Sequence, residues 1–345
     1  MQTSRNGARE LISVVVPAYN EEAVLHDFHG RCAAVLEETG LRWEIVYVND
    51  GSTDQTLATM VGLGESCPEV SIVDLSRNFG KEIALTAGLE YARGDIVVVI
   101  DADLQDPPEL IPELIGRWRD GFDNVYAKRI SRSGESAVKR LTAGIFYRVI
   151  GGMSRVGIPE NTGDFRLLSR RAVDSLLKLR EQHRFMKGLF CWIGYPAIAV
   201  PYHREPRAAG KTKWNYWNLW NFAIEGITSF STAPLRLATF VGVGTALLAL
   251  VYASVVFYRT IAFGDPVAGY PSMIIIILFL GAVQLIFIGV IGEYLGRMFN
   301  ETKNRPLYLV NHFKAGGPPL APGQEPDANT TEPPADKAPQ KKGQA

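Results

Sequence analysis

The sequence predicts an α/β domain built on a parallel sheet, followed by a membrane-associated C-terminal part. Residues 11 to 127 alternate short β-branched runs with polar turns and segments of helical periodicity. Apolar residues concentrate in the last third of the 345-residue chain. Lys+Arg and Asp+Glu balance at 36 each, so the composition argues against a basic nucleic-acid-binding protein and an acidic solvating chain.

Four nearly continuous apolar runs predict the strands of the sheet, and they are Ile12–Pro17, Glu44–Asn49, Val70–Leu75 and Ile96–Ile100. Such runs are typical of a parallel sheet with helices on both faces. After the first run, Asn20 is predicted to cap a helix that Gly40 ends. Asp106–Pro107–Pro108 is predicted to open a helix that ends at Gly121.

Two long stretches near the C-terminus carry no charged side chain: 22 residues at 237–258 and 27 residues at 266–292. About 20 apolar residues cross a bilayer, so we expect transmembrane helices at about 237–258 and 270–292. Arg236 precedes the pair, and Arg297, Lys303 and Arg305 follow it, which predicts that both termini lie in the cytoplasm. A buried helix pair of a soluble protein is the alternative.

These features divide the chain into five regions. We expect a cytoplasmic catalytic domain at 1–213, an interfacial amphipathic helix at 214–234, the two-helix hairpin at 235–297, a cytoplasmic segment at 298–313 and a disordered tail at 314–345. The interfacial helix is predicted because three of the six tryptophans lie within residues 214–220. An ordinary aromatic core is the other interpretation of that segment.

Polar clusters follow each of the four predicted strands, and they are Pro17–Glu21, Asn49–Asp54, Ser76–Lys81 and Asp101–Gln105. Ligands of open parallel sheets bind outside the carboxyl ends of the strands, so the clusters are predicted to share one cleft. Helix capping and turn formation alone would also explain the first three.

The fourth cluster predicts a metal site. Asp101 and Asp103 are expected on the same side of an extended segment, where two carboxylates repel unless a cation lies between them. Their hard oxygens suit Mg²⁺ or Mn²⁺, which would also bind a diphosphate. The phosphate-binding glycine loops of P-loop proteins and of dinucleotide-dependent dehydrogenases do not follow the first strand.

Six motifs occur in order and at the spacing of a known family: Val-Pro-Ala-Tyr-Asn-Glu, Asn-Asp-Gly-Ser-Thr-Asp, Arg-Asn-Phe-Gly-Lys, Asp-Ala-Asp-Leu-Gln-Asp-Pro-Pro, Thr-Gly-Asp-Phe-Arg-Leu-Leu and Ala-Gly-Lys-Thr-Lys-Trp. From residue 10 to about 312 the chain resembles the family 2 glycosyltransferases that act on polyprenyl phosphates. It is similar to the undecaprenyl-phosphate glucosyltransferases and to dolichyl-phosphate mannose synthase. The resemblance implies a Rossmann-like GT-A nucleotide-sugar domain in a multi-pass protein of the bacterial cytoplasmic membrane.

The resemblance also implies roles for individual residues. The donor nucleotide would contact Pro17, Tyr19, Asn20, Glu21, Asp50, Asn78, Lys81, Asp101 and Ala102. Asp101, Asp103 and Gln105 would hold the metal, and Arg129, Arg207 and Lys213 would neutralise the phosphates. Asp164 would serve either as a base or as an orienting group. Lys211 departs from the Glu or Ser that relatives commonly have there.

Local charge is consistent with phosphate binding. Residues 128–148 carry a net charge of +5 and residues 204–213 a net charge of +3, in a chain whose net charge is zero. A solvated basic face attracted to anionic lipid is the other interpretation, and both roles can coexist.

The implied reaction is inverting, metal-dependent transfer of a single hexose, glucose from UDP-glucose, to undecaprenyl phosphate for surface glycan modification. The implied partners are the nucleotide-sugar donor, the polyprenyl phosphate acceptor, membrane lipid and further copies of the chain in a homo-oligomer. GDP-mannose remains an alternative donor. A processive polysaccharide synthase is disfavoured because the chain lacks a Gln-x-x-Arg-Trp motif, and a non-catalytic scaffold or flippase because it retains Asp101 and Asp103.

Overall fold

The computed structural model of the chain describes residues 10–130, 159, 162–203, 233–263 and 269–316. The first half of the described elements comprises β1 (Leu11–Ala18), α1 (Leu25–Glu38), β2 (Arg42–Asn49), α2 (Thr56–Ser66), β3 (Val70–Leu75), α3 (Lys81–Tyr91), β4 (Ile96–Val99), a 3₁₀ turn (Pro108–Leu110) and α4 (Ile111–Arg119). The second half comprises β5 (Asn124–Arg129), β6 (Thr162–Ser169), α5 (Arg170–Leu177), α6 (Met186–Trp192), β7 (Ala197–Tyr202), α7 (Ala233–Phe263), α8 (Tyr270–Thr302) and β8 (Val310–Lys314).

The described strands form one mixed sheet in the order β7-β5-β6-β4-β1-β2-β3-β8. Neighbouring strands among β1 to β4 pair in parallel, as do β5 and β7, whereas β6 is antiparallel to β4 and β5. The predicted α/β class is confirmed, and the four predicted strands lie within two residues of their expected bounds. The carboxyl ends of β1 to β4 therefore meet at one edge of the sheet.

Apolar layers cover both faces of the sheet, which explains why the central strands are apolar throughout. On one face α1, α2 and α4 contribute buried side chains such as Phe28, Met60 and Leu114. On the other face α3, α5 and α6 contribute Leu85, Phe190 and their neighbours. This second layer also includes Phe79, in the loop after β3, and Met186, at the start of α6.

The predicted helix ends are confirmed, but one predicted helix start is wrong. Gly40 and Gly121 have φ of +66° and +103°, the left-handed conformation that ends helices. Asn20, by contrast, does not cap α1, which begins at Leu25 without a side-chain cap. Its side-chain oxygen instead accepts a hydrogen bond of 2.8 Å from the Thr53 backbone N–H, so a tertiary contact uses the group that a cap would need.

Two long helices, α7 and α8, contact each other at the C-terminal end of the chain. Among the described residues, one segment, Phe279–Thr302, is long and apolar enough to cross a membrane by length and composition. The apolar stretch found in α7 is shorter, at Phe240–Tyr252, so the expected first span at 237–258 stays a prediction. The expected interfacial helix at 214–234 lies outside the described residues up to residue 232.

The C-terminal boundaries expected from sequence need correction. The segment 298–313, expected only to follow the hairpin, supplies most of β8, which pairs antiparallel with β3. Order also extends past the expected start of the tail at residue 314, because Gly316 donates its backbone N–H to Ser71 Oγ at 3.0 Å. The sheet is therefore completed by residues far outside 1–213.

Candidate active site at the carboxyl edge of the sheet

The loops after β1 and β2 interlock at the carboxyl edge of the sheet. Asn20 has a φ of 57°, and its backbone N–H donates to Ser52 Oγ at 3.0 Å. The backbone N–H of Glu21 donates to Thr56 Oγ1 at 2.8 Å. Pro17 and Tyr19 belong to the same β1 strand and loop. The structure thus places Tyr19, Asn20 and Glu21 on one ordered loop beside β2, whereas Pro17 is a buried residue near the end of β1.

Asp50 connects this region to the loop after β3. Its carboxylate accepts backbone hydrogen bonds from Phe79 at 2.7 Å and Gly80 at 3.0 Å. Burial raises the pKa of Asp50, and these two N–H groups oppose the rise. Gly51 allows the close approach, because a Cβ there would lie 2.4 Å from the Arg77 carbonyl carbon. The buried Asp50 side chain therefore stabilises the 77–80 loop, in which Asn78 is exposed.

A carboxylate–lysine cluster lies at the end of β4 and consists of Lys81, Asp101 and Asp164. The Lys81 ammonium is 2.7 Å from Asp101 Oδ2 and 2.6 Å from Asp164 Oδ2. The antiparallel pairing of Val99 with Arg166 brings Asp164, two residues before Arg166, beyond the end of β4. The cluster joins Lys81 and Asp101, both predicted to contact the donor nucleotide, with Asp164, predicted to be a base or an orienting group.

The two carboxyl groups of this cluster have opposite pKa shifts. Burial raises the pKa of Asp164, but the Lys81 ammonium and the charge of Lys187 lower it by more, so the net shift is downward. For Asp101, burial raises the pKa, Lys81 opposes the rise, Asp164 adds to it, and the net shift is upward. Asp164 is thus held as an anion, with Oδ2 on Lys81. Its Oδ1 is buried and has no hydrogen-bond partner among the residues that the structure describes.

The expected extended geometry of Asp101 and Asp103 is wrong. Residues 102–106 turn, and Leu104 has a φ of 57°, so the chain bends within the motif. Asp103 Oδ1 accepts a hydrogen bond of 3.1 Å from the Gln105 backbone N–H, and the Ala102 side chain is buried. Among the described residues, no group of three His, Cys, Asp or Glu side chains is arranged to hold a metal. The turn is favoured because β4 ends at Val99 and the chain must redirect into the 3₁₀ turn at Pro108.

Arg129 reaches the same region from β5. Its Nε donates to the Tyr202 hydroxyl at 3.2 Å, and that hydroxyl donates to the buried Asp106 carboxylate. A Cβ at Gly163 would lie 3.0 Å from an Arg129 terminal nitrogen, so the guanidinium lies next to the residue that precedes Asp164. Asp106 and Tyr202 therefore hold a predicted phosphate-binding arginine, a role that the sequence analysis did not assign to either.

Glu82 and Lys187 are further charged residues at the site that sequence reasoning missed. Burial and the Asp164 carboxylate raise the pKa of Glu82 to about 7, against the opposing charges of Lys81 and Lys187. A signal was available for Glu82, since an acidic residue begins an otherwise apolar stretch of α3. For Lys187 the sequence offers no motif, because its proximity depends on where α6 packs.

Several residues that the sequence analysis singled out lie outside the described residues. They are Arg207, Lys213, the family-atypical Lys211 and the part of the basic segment 128–148 that follows Ile130. The described part of the site nevertheless combines hydrogen-bonded loops, carboxylate oxygens and several cationic side chains at the carboxyl edge of the sheet. This combination is chemically suited to bind and orient a phosphorylated substrate.

The fold and the site define an α/β enzyme domain whose polar cleft lies beyond the ends of parallel strands. Residues 13–177 match the model of the family described as Glycosyl transferase family 2, and residues 233–298 match the GtrB C-terminal hairpin. The chain is 55% identical over 300 residues to glycosyltransferase sll0501 of Synechocystis sp., a match that covers 87% of this chain and 94% of that protein. The chain belongs to glycosyl transferase family 2 and is a glycosyltransferase with a GT-A fold.

Two further proteins illustrate the similarity. The bactoprenol glucosyl transferase of Shigella phage SfX is 49% identical over 303 residues, covering 88% of this chain and 99% of that protein. A crystal structure of glucosyl-3-phosphoglycerate synthase from Mycobacterium tuberculosis in complex with Mn²⁺, UDP and phosphoglyceric acid is 24% identical. Its TM-score is 0.45, and the match covers 64% of this chain and 76% of that one.

Proposed function

We propose that this glycosyltransferase transfers a single glucose from UDP-glucose to undecaprenyl phosphate, with inversion at the anomeric carbon. One observation carries the proposal: the carboxylate–lysine cluster and the C-terminal hairpin occur in one chain that matches a bactoprenol glucosyl transferase along 99% of its length. The product would be a lipid-linked sugar available for surface glycan modification.

The donor would bind across the loops that follow β1, β2 and β3. Asn20 and Asp50 order these loops through hydrogen bonds to backbone N–H groups. Tyr19 and Glu21, which are partly exposed just beyond the buried Pro17 at the end of β1, would contact the nucleoside. Arg129, held by the Tyr202 hydroxyl, would contact the diphosphate. Donor groups fixed before binding lose less conformational freedom when the ligand arrives.

A divalent cation fits the oxygen donors that follow β4. Asp101, Asp103 and the Gln105 amide are hard-oxygen ligands of the kind Mg²⁺ and Mn²⁺ prefer. Mg²⁺ typically uses one or two protein carboxylates and completes its shell with water and substrate phosphate, so two aspartates suffice. When bound, the ion would supply charge stabilisation for the leaving diphosphate.

Asp164 would orient a substrate rather than act as a base. Its lowered pKa keeps the carboxylate ionised and makes it a weak proton acceptor, while the buried Oδ1 is available to accept a hydrogen bond. A lipid phosphate is already largely anionic at pH 7, so it needs little help from a base. In the transfer, a phosphate oxygen of the lipid bonds to the sugar anomeric carbon as the bond from that carbon to UDP breaks.

The sheet supports a hairpin with both ends on the same side of the membrane. β7 precedes the long helices and β8 follows them, and both strands belong to the catalytic sheet. The chain between them must therefore cross a bilayer an even number of times. If Phe279–Thr302 spans, a second crossing lies between β7 and residue 279, consistent with the predicted pair in the cytoplasmic membrane.

The test uses purified detergent-solubilised protein, undecaprenyl phosphate, Mg²⁺ or Mn²⁺ and radiolabelled UDP-glucose, UDP-galactose or GDP-mannose. We expect label from UDP-glucose to enter the organic phase with wild-type protein and with the control variant Asp27→Ala, whose side chain is exposed on α1. Asp103→Ala should abolish this transfer. Label from GDP-mannose alone would identify a mannose synthase, and Asp103→Ala with full activity would refute the metal assignment.

A further inference from the structure

Lys187 lies beside the carboxylate–lysine cluster because the start of α6 is fixed there. Met186, the first residue of α6, donates its backbone N–H to Glu82 Oε2 at 3.1 Å. Glu82 follows Lys81 directly on α3, and the Thr86 hydroxyl on the same helix lies 3.9 Å from Met186 Sδ. These contacts place Lys187, the second residue of α6, next to the cluster.

The Lys187 ammonium lies close enough to the site to act on two of its carboxylates. Its charge lowers the pKa of Asp164 and opposes the rise in the pKa of Glu82, so it lies near both carboxylates. Within the described ranges Lys187 makes no hydrogen bond or ion pair, whereas Lys81 pairs with two carboxylates. A half-buried ammonium loses part of its hydration, which an anionic ligand group can replace.

The position of α6 indicates whether the anionic group near Lys187 belongs to the nucleotide-sugar donor or to the lipid acceptor. The loops proposed for the nucleoside follow β1, β2 and β3, which lie on one side of β4 in the sheet. Asp164 belongs to β6, on the other side of β4, and α6 packs against β6. Lys187 is therefore on the Asp164 side of β4, and its helix also contacts Glu82, which follows the loop after β3.

We propose that Lys187 binds the phosphate group of the lipid acceptor, and that Glu82 is the positioning residue that holds the start of α6 for this contact. This inference rests on the proposed function, since it assumes an acceptor that carries a phosphate. The ligand class is a phosphate monoester on a lipid.

The experiment measures kinetics and binding separately on Lys187→Gln, Lys187→Arg and the control Lys178→Gln, whose side chain is exposed after α5. We expect Lys187→Gln to lower kcat/KM for undecaprenyl phosphate at least tenfold and to weaken direct binding of that lipid in detergent micelles. The dissociation constant of UDP should stay within twofold, which also shows that the variant is folded. Lys187→Arg should retain most of the acceptor affinity, and Lys178→Gln should resemble wild type.

A charge-balancing role for Lys187 is tested in the Glu82→Gln background. If Lys187 only neutralises Glu82, the double variant Glu82→Gln/Lys187→Gln will have the same kcat/KM and the same affinity for undecaprenyl phosphate as Glu82→Gln alone. That result would overturn the inference. Unchanged acceptor kinetics in Lys187→Gln, or a weakened UDP affinity with normal acceptor affinity, would overturn it as well. Wild-type protein that binds undecaprenyl phosphate through Lys187 but transfers no sugar would refute the proposed function and leave this site standing.

Discussion

Replacement of Glu82 by glutamine tests the electrostatics of the site without testing the reaction. Glu82 is partly buried beside Asp164, and the pKa of its carboxyl is raised from 4.5 to about 7 by burial first and by Asp164 second. Glutamine has nearly the same shape and keeps an oxygen that can accept the Met186 N–H. The substitution therefore removes the buried charge and little else.

The sign and size of the effect follow from the pKa shift. Between pH 4.5 and 7 the folded protein keeps a proton on Glu82 that the unfolded chain has released, so the free energy of unfolding falls as pH rises through this window. Above pH 7 the full cost is present, and the shift corresponds to at most about 3 kcal/mol. Relative to wild type, Glu82→Gln should thus be more stable at pH 8 and equally stable near pH 4.5.

Thermal unfolding of the detergent-solubilised protein at pH 5 and pH 8 measures this difference. For a domain of this size 1 kcal/mol corresponds to about 2–4 °C, so we expect Glu82→Gln to raise the midpoint by at most about 6–12 °C at pH 8 and by much less at pH 5. Glu65→Gln, which neutralises an exposed carboxylate on α2, is the control and should show no such pH dependence. An equal midpoint for Glu82→Gln and wild type at pH 8 would refute the burial of an ionised Glu82.

Three further substitutions test other parts of the site and the fold. Asp164→Asn should lower kcat at least 100-fold with UDP affinity within threefold, because it removes an orienting anion on the acceptor side; normal kcat with both substrates saturating would exclude that role. Gly51→Ala should weaken UDP binding at least tenfold in calorimetry. The left-handed φ of 64° costs about 1–2 kcal/mol for alanine, and the new Cβ would meet the backbone of the loop after β3. The control Gly30→Ala, with open space around it, should bind UDP as the wild type does. Asn311→Ala leaves one oxygen of buried Asp74 without its 2.8 Å hydrogen bond and should lower the unfolding free energy by about 1–2 kcal/mol; an unchanged thermal midpoint would show that β8 contributes no such contact.

The central sheet could be predicted from sequence because its strands are apolar along their whole length. Ile12–Pro17 and Val70–Leu75 contain few residues that interrupt the run, and helices bury both faces. The strand β8 lacks this signal, since Val-Asn-His-Phe-Lys mixes polar and apolar residues. Its pairing with β3 joins residues 235–242 positions apart, which local patterns do not report.

The sequence predicted several residues of the site but not the contacts between them. Sequence motifs identified Lys81, Asp101 and Asp164, yet their ion pairs depend on antiparallel pairing of β6 with β4, which brings together residues 83 positions apart. Asn20 was assigned to a cap because asparagine before acidic residues is typical of helix starts, whereas a tertiary hydrogen bond to Thr53 decides its conformation.

Mass spectrometry of the lipid product tests the central claim most directly. Purified wild-type protein would be incubated with undecaprenyl phosphate, UDP-glucose and Mg²⁺, and the organic phase would be analysed for glycosylated lipid. The proposed function predicts one product, undecaprenyl phosphate carrying a single hexose, formed with stoichiometric release of UDP. A lipid with a growing series of hexoses, or UDP release with no change in the lipid, would contradict it.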